Sequence, residues 1–97
     1  MLSVSYTASE RLDHILADAM LADAEVPEDA VIRLVLDGDG FNLGIDKVRS
    51  GDTTFDHLEK VVFAIDVQVS KLLADKKLDV KVRGEKPELI LIERLEE

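Results

Sequence analysis

Residues 30 to 48 read AVIRLVLDGDGFNLGIDKV, and the fold turns on how they are parsed. An apolar, β-branched run from Ala30 to Asp37 meets two glycines alternating with aspartates. Phe41, Leu43 and Ile45 then alternate with Asn42, Gly44 and Asp46. Alternation marks a half-buried strand, and Asp-Gly between two apolar runs marks a hairpin turn. The stretch is therefore expected to form two antiparallel strands joined by a Gly-rich turn, with Phe41 opening the second. Arg33 is the only charge inside the first run. The competing reading is a calcium loop with Asp37 and Asp39 as its first two ligands. That pattern fails further on: Asn42 stands where the sharp turn needs glycine, and Val48 stands where a bidentate glutamate belongs.

The chain before this stretch changes period. Leu2, Val4 and Tyr6 alternate with Ser3 and Ser5, as in a short strand. Thr7 and Glu10 have capping-box spacing. Ala8, Leu12, Ile15, Leu16, Ala19 and Met20 follow at helical intervals, so a helix is expected from about Ala8 to Asp23. Pro27 keeps the next segment out of it. Downstream, SGDT (50–53) reads as a turn, KVVFAID (60–66) as a buried strand, and DVQVSKLLA (66–74) as a short helix with Asp66 as a possible N-cap. LDVKVR (78–83) alternates, GEKPE (84–88) turns, and LILIERL (89–95) is the last strand. This order gives an α+β, mainly-β architecture with one long N-terminal helix and one short helix. It leaves no room for repeated strand–helix–strand units.

The totals narrow the function. At 97 residues the chain is one small domain, and 46% hydrophobic with 34% charged residues is a globular composition. Twelve Lys and Arg face 21 Asp and Glu, for a net charge of −9. The densest basic pair, Lys76–Lys77, is flanked by Asp75 and Asp79. Nucleic acid and anionic membrane surfaces both need clustered cations, so neither is an expected partner. No signal peptide and no apolar run of membrane-spanning length is present, and a cytoplasmic protein is expected. The cysteine count is zero, which excludes disulfides, thiol nucleophiles and thiolate metal sites.

Over its full length the chain resembles the HesB-like family, the A-type carriers of iron–sulfur cluster assembly. LSVSYTASERLDHILA (2–17) looks like that family's opening strand and capped helix, and AVIRLVLDGDG (30–40) like its strand entering a Gly-rich turn. FNLGIDKV (41–48) resembles the strand that leaves the turn. GDTTFDHLEKVVFAIDVQVSKLLADKKLDVKV (51–82) is the most telling part. It resembles the family's acidic Gly-Asp turn, Phe, K-V-x-V strand, Asp-led short helix and closing LD-V strand. ELILIE (88–93) sits at the family's last strand. The resemblance implies a sandwich or pseudobarrel fold and, since dimers are common in the family, a homodimer. It does not transfer a cluster site. Family carriers have one cysteine in the Gly-rich turn and two in a C-terminal Cys-x-Cys segment. Here the turn reads DGDGF and the last residues read ERLEE, so no position matches a ligand.

Asp37 and Asp39 occupy the place of the missing turn ligand. As hard oxygen donors they can contribute to a divalent or ferric ion site, especially with a third group from a partner. A solvated turn is the plainer reading. His14 lies one residue from the helical stripe, and His57 lies beside Asp56 in an expected turn, with no ligand spacing between them. No nucleophile–base arrangement or phosphate loop stands out. Neither a catalytic residue nor a resident cofactor is assigned, and the chain is not expected to be an enzyme. The expected function is a non-catalytic protein-interaction or regulatory module, its acidity favouring a basic partner surface. The alternative is a metal carrier using carboxylate and imidazole ligands.

Overall fold

The computed structural model describes residues 2–38 and 40–93. Strand β1 (Ser3–Val4) leads into helix α1 (Tyr6–Ala22), and strands β2 (Val31–Asp37), β3 (Gly40–Asp46), β4 (Thr53–His57) and β5 (Lys60–Ile65) follow. The short helix α2 (Val67–Leu72) precedes the final strands β6 (Lys76–Arg83) and β7 (Lys86–Glu93). The α+β, mainly-β expectation holds, with the strands divided between two mixed sheets. One has the order β3-β2-β5-β4, the other β1-β6-β7. Among the described residues they do not close into a barrel: β3 and β7 each end their sheet, and no ladder joins them.

The Gly-rich hairpin forms as its pattern dictates. β2 and β3 are antiparallel in a register running from Val31↔Asp46 to Asp37↔Gly40, so Gly40 opens β3 one residue before Phe41. Leu36↔Phe41 and Leu34↔Leu43 share the face turned to the core with Ile32, whose partner Ile45 is 41% exposed. Gly38 has φ +58°, which glycine adopts without a Cβ clash. Parallel pairing of Ile32 with Phe63 and of Arg33 with Ala64 attaches β5 to the other side of β2.

Helix α1 starts earlier than Thr7 and Glu10 imply. Its N-cap is Ser5, whose hydroxyl accepts from the Ala8 N–H at 3.0 Å and donates to Asp79 Oδ1 on β6 at 2.8 Å. The Ser5 N–H also donates to the Leu78 carbonyl at 3.0 Å. These contacts continue the parallel β1–β6 pairing and set where the chain turns into the helix. Thr7 and Glu10 are left exposed, so a tertiary partner decided the cap and the first strand is shortened to two residues. Ala8, Leu12 and Leu16 are fully buried, with Ile15 and Met20 partly buried beside them. Ala19 is half-buried.

Strand β4 was not evident in the sequence. It pairs antiparallel with β5, and the register steps from Phe55↔Phe63 to Asp56↔Val61. Val62 is therefore the extra residue of a bulge, and β5, between β2 and β4, is fully buried from Val62 to Ile65. His57 closes β4 rather than lying in a turn. It is 6% exposed, with its ring 5.1 Å from that of Tyr6. The connection to β5 is Leu58–Glu59, both at positive φ (50° and 69°). α2 is capped as expected, Asp66 accepting from the Val69 N–H at 2.8 Å.

Candidate functional site

The Gly-rich turn lies at the mouth of an open groove between the two sheets. β2, the turn and β3 contribute Leu36, Gly38, Gly40 and Phe41, and β6 and β7 contribute Lys76, Arg83 and residues 88–91. The space is about 530 Å³ and is floored by Leu73, Leu89 and Leu91. A second space of about 570 Å³ adjoins it on the other side of Phe41, against Arg11 and Ile15 of α1.

Asp37 is exposed at the end of β2 and accepts from Asn42 Nδ2 at 3.2 Å. Asp39 lies outside the described residues. His14 is exposed beside a small depression with Thr7, Glu10 and Arg11. His57 packs under Tyr6 on β4. Among the described residues no three His, Asp or Glu side chains are grouped to hold a metal ion. An iron–sulfur cluster needs thiolates, and neither this turn nor any other part of the chain has one. The donor set at the turn does not fit a cluster.

The most organised polar assembly lies on the outer face of the four-stranded sheet. Arg33 is 7% exposed. Its neighbours across the ladders are Gly44 and Ala64, which leave room for a guanidinium. Arg33 Nε donates to Asp46 Oδ2 at 3.0 Å, and its two terminal nitrogens engage both carboxylate oxygens of Asp52 at 3.2 and 2.5 Å. It also donates to the Lys47 carbonyl at 3.0 Å. Asp52, with a side chain only 2% exposed, accepts from the Arg49 N–H at 2.7 Å as well. Asp46 accepts from the Lys47 N–H at 2.8 Å and from the Arg49 guanidinium at 2.6 Å.

The electrostatics follow from this geometry. The Arg33 hydrogen bond holds the Asp52 carboxyl below its ordinary pKa against the cost of burial. The Lys47 N–H does the same for Asp46, with Arg49 and Arg33 adding to it. Arg33 is raised in turn, chiefly by its bond to Asp52. Arg33 uses all three guanidinium nitrogens and Asp52 both carboxylate oxygens, so this assembly is a clip that fastens the β3–β4 connection to β2. Its trace in the sequence was the lone charge inside an apolar strand, together with the aspartate of the Gly51-Asp52 turn. The groove left no such trace.

No protein-family model and no curated protein sequence matches the chain. Solved structures do match. SufA of Escherichia coli, described as involved in biosynthesis of iron–sulfur clusters, superimposes with a TM-score of 0.64 at 16% identity, over 95% of this chain and 84% of SufA. IscA, solved with a [2Fe-2S] cluster, gives 0.61 at 11% identity over 96% of this chain and 85% of IscA. The fold is that of SufA and IscA, HesB-like A-type iron–sulfur assembly proteins, carried here by a chain without a cysteine.

Proposed function

We propose that residues 1–97 form a single HesB-like domain that keeps the A-type fold without the cluster ligands and serves as a non-catalytic protein-interaction or regulatory module. The observation that carries this reading is the combination of a SufA-like fold over nearly the whole chain with a cysteine count of zero. The net charge of −9 supports a partner with a basic surface, because complementary fields speed encounter. No helix among the described residues is long and apolar enough to cross a membrane, and a cytoplasmic setting and a homodimer belong to the same proposal.

Metal-dependent melting tests it. Two carboxylates fall well short of the roughly six to eight oxygens that calcium takes. Wild-type protein, purified without a histidine tag, is expected to melt at the same temperature with and without micromolar iron or calcium. Asp37→Asn/Asp39→Asn should behave alike, or gain slightly as acidic repulsion eases. A wild-type melting temperature that rises with metal, and ceases to rise in the double variant, would make the turn a metal site and the chain a carrier.

A further inference from the structure

β3 and β7 are the outermost strands of their sheets, and both border the groove at the Gly-rich turn. An edge strand carries unpaired N–H and C=O groups, a template for one more strand. The groove floor is aliphatic and aromatic, with Leu36, Phe41, Leu43, Leu89 and Leu91 partly buried along it. The charge of its rim is reversed from that of the molecule. The chain has 12 cations against 21 carboxylates, yet among the described residues the groove is lined by Arg11, Lys76 and Arg83 with Glu88 as the one carboxylate. Lys76 and Arg83 are held only loosely, at 3.5 Å from Glu93 and 3.4 Å from Glu88. Arg11 makes no hydrogen bond or ion pair among the described residues.

We propose that this groove docks an extended segment of a partner protein in which apolar residues alternate with carboxylates. The proposal rests on the reading of the chain as an interaction module and names the surface that module uses. One face of such a strand lays its apolar side chains on the floor, its backbone pairs with a free sheet edge, and its carboxylates meet Arg11, Lys76 and Arg83. An aliphatic ligand would leave the strand edges unpaired, and a purely acidic polymer would leave the floor wet. The charge of the rest of the molecule does not forbid this, since at physiological salt charges beyond about 8 Å are largely screened. A basic partner carrying one acidic–apolar strand satisfies both the field of the whole chain and the rim of the groove.

The test uses two fluorescein-labelled peptides of the length of β7, 8 residues, one alternating leucine with glutamate and one leucine with lysine. Fluorescence anisotropy with the full chain should show the glutamate peptide binding about tenfold more tightly, the sum expected of three surface ion pairs. Added salt should narrow that gap. Arg11→Glu/Arg83→Glu should invert the preference. Should that variant fail to fold, amide shifts of the isotope-labelled wild type decide: they should cluster at residues 40–43 and 89–91. Equal affinity for the two peptides, no binding of either, or shifts elsewhere would overturn the assignment. A peptide that splits a dimer would instead assign the groove to a second copy. If the peptides fail while melting stays metal-independent, the groove falls and the module reading stands. Metal-dependent melting retires the module reading whatever the peptides do.

Discussion

Arg33 shows how one residue can carry more structural meaning than its neighbours in sequence reveal. A charge in the middle of a buried strand is costly unless paired, and here it is paired twice. Asp52→Asn removes one charge from the bidentate contact and should cost about 1–3 kcal/mol at neutral pH, read from urea melts. The pH dependence has a definite sign. Asp46 and Asp52 both have folded pKa values below their ordinary ones. Their contribution is therefore complete above about pH 5 and drains away as pH falls through the ordinary carboxylate range toward the folded values. Wild-type stability should fall across that acid window, and Asp52→Asn should fall less steeply; parallel curves would contradict the pairing. Leu58 and Glu59 make the opposite case, since both hold left-handed φ without being glycine or asparagine, and Leu58 is 77% exposed. Leu58→Asn/Glu59→Gly should stabilise the protein by about 1–2 kcal/mol, because a two-residue turn of this kind favours those residues. An unchanged or lower urea midpoint would show that the turn is not strained.

Elements set by local chemistry were legible; those set by distant partners were not. Asp66 caps α2 from three residues away, and the two strands of the β2–β3 hairpin are separated only by Gly38 and Asp39. The stripe of α1 was equally plain. Leu16 is fully buried, so Leu16→Ala should cost about 2–5 kcal/mol; a loss under about half a kcal/mol would reject the packing of α1 on the sheets. The start of α1 escaped notice because Ser5 is held by Asp79, 74 residues away. Ser5→Ala should cost about 1 kcal/mol, whereas Thr7→Ala, at an exposed position, should cost little. β4 escaped because Thr53, Thr54, Asp56 and His57 surround a single large apolar residue, Phe55, and only pairing with β5 reveals a strand. The division into two sheets depends on non-local pairings such as β2 with β5 and β1 with β6. At the candidate site, the turn could be located from its glycines. The Arg33–Asp52 contact, which spans 19 residues of sequence, and the groove could not.

At the scale of the molecule, the fold and the chemistry separate. Nearly the whole chain superimposes on SufA and IscA. The turn that opens the groove, however, offers Asp37 already bonded to Asn42, and no thiol exists anywhere in the sequence. Two histidines, one exposed on α1 and one packed beneath Tyr6, do not replace a set of thiolates. The consequence is direct. Protein incubated anaerobically with iron and sulfide, then desalted, should emerge colourless and free of bound sulfide. A stable visible chromophore that elutes with the protein, carrying iron and acid-labile sulfide in matching amounts, would mean that this chain holds a cluster by ligands other than cysteine.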